Sequence, residues 1–156
     1  KELREIDGVD VEDIRPVDVP VPDPRLDALE SAALLVAQTS ARDVLDVLVA
    51  DASRDLEASW AAVVDHAAAE VLAPSSGGGP DVPTATWLAA FVAGSRDSDA
   101  SGTDDVAWAP FPHAPVALVL GRSGRPFRDR ERRQLEALTR IAAWRWAELT
   151  VRRAAS

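Results

Sequence analysis

Residues 114–149, APVALVLGRSGRPFRDRERRQLEALTRIAAWRWAEL, contain the strongest structural signal in the chain. Val116 to Leu120 is a continuous apolar run without alternation, the pattern of a strand covered on both faces. Gly121 and Gly124 bracket a turn that Pro126 stiffens, and Asp129 stands where an acid complements the N-terminal dipole of a helix. Leu135, Leu138, Ile141, Ala142, Trp146 and Leu149 then recur at helical spacing as the stripe of a long closing helix. The stretch predicts a strand central in an antiparallel sheet, with the final helix packed across it.

Upstream, Thr84 to Ala93 reads as a short helix with Trp87, Leu88 and Phe91 on one face, and Asp105 to Phe111 as a strand before a proline-flanked turn at Pro112–Pro115. Gly94 to Thr103 is a polar loop. Trp60–Val64 and Ala69–Ala73 are short β candidates that form a hairpin. Pro74 to Pro80 is a glycine-rich loop, but no Lys follows it and the next helix starts too late to catch a phosphate, so it is not a P-loop. Leu26, Leu29, Ala33, Val36 and Ala37 define one helix, and Val44, Leu45, Val47, Leu48, Ala52 and Leu56 a second, opened by Ser40 with Asp43 in a capping-box pattern. Before these, Glu2–Asp7 ends a helix at Gly8 and Val9–Val17 is strand-like. Pro16, Pro20, Pro22 and Pro24 make Val17–Pro24 an extended linker. The domain reading is a segment 1–24, a domain 25–150 and a tail 151–156. Two helices, a hairpin, a helix, two strands and a last helix give an α+β fold, with helices on an antiparallel sheet and the N- and C-terminal helices together on one face.

The chain of 156 residues has no cysteine, one lysine and sixteen arginines. Absence of cysteine excludes disulfides, thiolate nucleophiles and cysteine-ligated zinc. The Arg-for-Lys bias is the usage of a GC-rich bacterial genome, of the actinobacterial kind. No apolar run approaches the roughly 20 residues of a membrane span, and the first residues lack a signal peptide, so the expected location is cytoplasmic with no membrane partner. The net charge of −9 is segregated: −5 over residues 1–24, −10 over 25–121 and +6 over 122–156. An acidic body argues against nucleic acid as a partner, and the basic end reads first as an arginine-rich solvated helix.

Candidate chemistry is sparse. Gly121-Arg122-Ser123-Gly124 lacks the spacing of a nucleophile elbow, so Ser123 is a turn serine. Asp97, Asp99, Asp104 and Asp105 lack the Glu that closes a calcium loop and read as solubilising acids. Arg122, Arg125 and Arg128 form an exposed basic turn or, alternatively, a phosphate site at a helix start. No motif recommends an enzyme built on Asp or His, and no metal site is expected. The five tryptophans are more informative. Trp87 and Phe91 lie one helical turn apart, with Trp108 and Phe111 on the next strand. Such an aromatic cluster serves either a core or a small-ligand pocket. Trp144 and Trp146 occupy adjoining helix faces and cannot both point inward, so one faces a partner.

Residues about 25–150 resemble a GAF domain, a ligand-sensing fold of bacterial signalling proteins. The likeness rests on Arg25–Leu56 as paired opening helices, Trp60–Ala73 as the first hairpin, and VALVLGRSGRPFRDRERRQLEALTRIAAWRWAEL as closing strand, Phe-containing turn and C-terminal helix. The chain is shorter than the family pattern between Val71 and Asp104. KELREIDGVDVEDIRPV resembles the last helix and strand of an ACT domain, an amino-acid-binding module. That likeness would make the chain the C-terminal part of a longer regulator. Bilin attachment and methionine-sulfoxide reduction need cysteine, and the cyclic-nucleotide signature needs a lysine inside the domain, so none of these transfers. Haem on His66 or His113 is disfavoured, since a single turn histidine is ordinarily solvated, and no cofactor is expected. The resemblance implies a non-catalytic regulatory domain that binds a small molecule around Trp87, Phe91, Trp108 and His113. Such a domain would form a homodimer through Leu26, Leu29, Leu135, Leu138, Trp144 and Trp146. The alternative is a degenerate GAF-like fold kept for dimerisation or protein docking.

Overall fold

A computed structural model of the chain describes residues 24–74, 82–97 and 105–155. The expected strand at Val9–Val17, nearly all of the proline linker and most of the two long loops lie outside them. The described elements are α1 (Pro24–Ala37), α2 (Ala41–Asp55), β1 (Trp60–Asp65), β2 (Glu70–Pro74), α3 (Ala85–Asp97), β3 (Val106–Pro110), β4 (Val116–Gly121) and α4 (Asp129–Ala155). Every strand pairing is antiparallel, in the order β2-β1-β4-β3. The protein is therefore α+β, with β4 inside the sheet between β1 and β3.

The unbroken apolar run of β4 follows from that position. All six of its residues are buried, and alternate ones face different layers. Val116, Leu118 and Leu120 join Ala61 and Val63 of β1 and Ala107 and Ala109 of β3 in a core shared with Leu35 of α1, Leu48 of α2 and Leu135 and Ala142 of α4. Ala117 and Val119 face the other way, with Trp60, Ala62 and Val64, onto Leu88 and Val92 of α3. Thus α1, α2 and α4 cover one face and α3 the other. Small alanines on the three-helix face let the helices sit close to the strands.

Local chemistry sets the element ends. Pro24 occupies the first turn of α1, where a missing amide donor costs nothing, so the helix begins at the residue that was expected to close the linker. The Ser40 hydroxyl accepts the Asp43 amide at 3.0 Å and caps α2. The Thr84 hydroxyl accepts the Trp87 amide at 3.2 Å and caps α3. The Asp65 carboxylate accepts the amides of Ala67 and Ala68, both at 3.0 Å, and so organises the β1–β2 turn.

Two expectations are corrected. α3 runs on to Asp97 instead of stopping before Gly94, because a single exposed glycine costs a helix only about 1 kcal/mol. A methyl group at Gly94 would meet nothing within 4 Å. Gly94→Ala should accordingly raise stability by roughly 0.5–1 kcal/mol, read from the denaturation midpoint, since the helical backbone is compatible with alanine. The closing helix also continues through residues 151–155, so the tail is helical there. In α1 the residues turned inward are Ser31 and Leu35, whereas Leu26, Leu29, Ala33, Val36 and Ala37, the repeat that marked the helix, are exposed. α1 carries apolar residues all round, and periodicity alone cannot phase such a helix.

Candidate functional site

The residues expected to share one pocket fall on opposite sides of the sheet. On the α3 side, Trp87 stacks on Phe91, with ring centroids 5.4 Å apart, and meets the edge of Trp60 at 6.4 Å. Phe91 and Trp108 pack against this smaller core, while Trp87 remains 45% exposed. His113 lies on the other side, in the turn that joins β3 to β4. The four residues brought forward as a ligand site are therefore not one constellation.

The turn holding His113 borders a cavity of about 430 Å³ against α4. Its inner wall is Phe111, buried, set edge-on to the half-buried Trp146 with centroids 5.6 Å apart. Trp144, Arg140 and Ala147 contribute from α4, and His113 and Pro112 from the turn. Arg140, Trp144 and Ala147 fall on one helix face because their spacings are four and three residues. The turn is pinned by the Phe111 amide donating to the Val116 carbonyl at 2.8 Å. His113 adopts a left-handed backbone, φ +66°, which costs a non-glycine residue roughly 1–2 kcal/mol.

The outward faces of α1 and α4 form a second surface. Leu26, Leu29, Leu34 and Val36 of α1 are exposed, Leu29 to 68%, and Trp144 of α4 is exposed to 77%. Trp146 is the tryptophan that turns inward. Leu135 and Leu138, expected at a dimer interface, are 1% and 5% exposed and belong to the core of the protomer, which removes them from that surface. The two helices are tied together by Arg145. Its guanidinium donates to the Gln38 carbonyl at the end of α1 through Nε at 3.0 Å and Nη2 at 2.8 Å, and to Glu148 at 2.6 Å. Cationic donors suit the carbonyl-rich end of a helix. Beside α1, Arg54 spans Asp51 and Asp55, whose side chains are 7% and 5% exposed, and Ser31 donates to Asp55 at 3.0 Å.

In the basic turn before α4, Arg125 and Arg128 are exposed as expected, and Arg122 is not. Arg122 is only 6% exposed. Its Nη1 donates to the Leu56 carbonyl at 2.6 Å and to Glu131 at 2.9 Å, and its Nη2 to Glu131 at 2.8 Å and the Pro126 carbonyl at 2.8 Å. Its Nε donates to the Arg125 carbonyl at 3.2 Å. The guanidinium lies 4.1 Å from the centre of the Phe127 ring. All five N–H groups are spent inside the protein, so Arg122 clamps the end of α2, the turn and the start of α4 together. Glu131 also accepts the Arg128 amide at 3.0 Å, closing the first turn of α4. Its carboxyl is held below the usual range, chiefly by the hydrogen bonds from Arg122. Arg125 reaches Glu57 at 2.5 Å, an exposed pair of small energetic weight.

Among the described residues, no group of three or more His, Asp or Glu is placed to hold a metal ion. No helix among them is long and apolar enough to cross a membrane. Comparisons with protein-family models, with curated proteins and with solved structures find no match for this chain.

Proposed function

We propose that the chain is a non-catalytic regulatory domain, GAF-like in fold, that pairs with a second copy through α1 and α4 and binds a small molecule. The observation that carries this reading is the exposed apolar side chains on the two terminal helices, Leu26, Leu29 and Val36 of α1 and Trp144 of α4, with Val36 and Trp144 lining one groove. Exposed apolar side chains gathered on one side of a protein mark interaction surfaces, and a patch used by two identical chains gives an isologous contact. Tryptophan is among the residue types that most often dominate binding at such surfaces. A chain without cysteine has no thiolate for covalent catalysis. The aromatic cavity beside α4 supports the small-molecule part of the reading.

Sedimentation equilibrium tests the pairing. The wild-type chain is expected to dimerise. Leu29→Glu and Trp144→Glu, each at an exposed position, should weaken the dimer roughly 30-fold or more, the effect of losing an interface anchor worth about 2 kcal/mol, while the far-ultraviolet spectrum is unchanged. A wild-type chain that stays monomeric up to its solubility limit would overturn the pairing.

A further inference from the structure

We propose that the cavity between the β3–β4 turn and α4 binds a small planar aromatic carboxylate. This rests on the regulatory reading above for the expectation of a ligand, and supplies its site and chemical class.

Size, shape and charge argue for it together. A volume of about 430 Å³ suits a one- or two-ring compound, near the lower end of the usual range of roughly 300–1,000 Å³ for small-molecule sites. The inner wall is Phe111 with Trp146 edge-on at 80°, and the exposed Trp144 stands at the mouth. Aromatic side chains lining a cavity can take a third ring in stacked or edge contact. The polar equipment is cationic or donating: the Arg140 guanidinium on α4 and the His113 imidazole on the turn. Among the described residues, neither side chain is engaged in a hydrogen bond or ion pair. This separates Arg140 from Arg122 and Arg145, both committed to carbonyls and carboxylates of the protein itself. A planar guanidinium fork matches a carboxylate with two parallel hydrogen bonds, and the aromatic wall would hold the ring that carries it. The cavity lining includes no acidic side chain to repel the anion.

His113, on the turn, adds an imidazole to the same lining as Arg140 and so a second polar group able to hydrogen-bond the carboxylate.

Indole-3-acetate and its neutral isostere indole-3-acetamide are the probes, titrated into the wild-type chain with amide chemical shifts as the readout. The acid should bind roughly tenfold or more tightly than the amide, the ratio expected of one charge-assisted hydrogen-bonded pair, with shifts confined to residues 111–115 and 140–147. Arg140→Gln should abolish the preference without changing the melting temperature, because Arg140 is exposed and holds nothing in the fold. His113→Gly should weaken the acid while leaving the melting temperature equal or higher. Equal binding of acid and amide overturns the proposal. So do shifts centred on Trp87 and Phe91, an intact preference in Arg140→Gln, or no shift in the turn at millimolar probe. Sedimentation of the same samples keeps the two readings apart. A dimer sensitive to Leu29→Glu with no acid binding sinks only the cavity proposal, and a monomer that binds the acid sinks only the pairing.

Discussion

Arg122→Met is expected to destabilise the domain by about 3–5 kcal/mol, the cost of removing one partner from a buried ion pair. The loss has identifiable parts. Glu131 keeps its charge with a side chain only 17% exposed, and the carbonyls of Leu56, Arg125 and Pro126 lose their donor together. Lysine would not rescue it. One ammonium has three donors radiating from a point, whereas these acceptors are arranged around a planar fork. Chemical denaturation of the wild type, Arg122→Met, Arg122→Lys and Glu131→Gln checks the ordering, with Glu131→Gln mildest because its one amide oxygen still accepts and only the second acceptor is lost. A cost below about 1 kcal/mol for Arg122→Met, the scale of an exposed pair, would show that the clamp does not hold the turn.

The same pair predicts an acid limb. Glu131 has a lower pKa folded than unfolded, chiefly through the hydrogen bonds from Arg122, so between those two values the unfolded chain binds the extra proton. Stability from the pair is then fully present above the ordinary carboxylate pKa of about 4.3 and is lost as pH falls through the folded value. Glu131→Gln should flatten the fall of stability with pH below that point and leave the slope near neutrality unchanged. A wild-type slope in the mutant over the acid range would refute the assignment.

What could be read from the chain depended on how many faces each residue type had to satisfy. Val116–Leu120 revealed its central place because a strand covered on both sides can afford no polar residue, and five consecutive apolar residues leave little other reading. The capped helix start at Ser40 and the split roles of Trp144 and Trp146 followed from similarly local rules. α1 was illegible in phase, since Ser31 and one leucine, Leu35, turn inward while Leu26, Leu29 and Leu34 face out. The inward choice is made by Asp55, which receives the Ser31 hydroxyl from 24 positions along the chain. Arg122 was misjudged for the same reason. Its acceptors come from Leu56, 66 residues earlier, and from Glu131, nine residues later, and no spacing rule joins them. His113 and Trp108 sit close in sequence, yet the strand alternation and the turn between them send them to different faces. The aromatic inventory was visible; its partition between a core and a cavity was a property of the sheet.

Gly121→Ala should cost about 1–3 kcal/mol, the scale of overpacking a filled interior by one methyl group. Gly121 looked like a turn glycine, but its backbone is ordinary strand and it is the last residue of β4. What it supplies is space. A methyl group there would lie 2.5 Å from Trp60 Cζ2 and 2.6 Å from Cε2, closer than a carbon can approach the indole ring. Trp60 is the direct cross-strand partner of Gly121 and is itself buried against α3, so the indole has little room to retreat. The double variant Gly121→Ala with Trp60→Phe tests the cause rather than the size of the effect. Phenylalanine shortens the ring that the methyl group meets, so the two substitutions together should cost less than the sum of each alone, with coupling of about 0.5–3 kcal/mol. Strict additivity would mean that Gly121 is needed for its backbone and not for the indole, and Gly121→Ala at no cost would mean that Trp60 does not occupy that position in the folded protein.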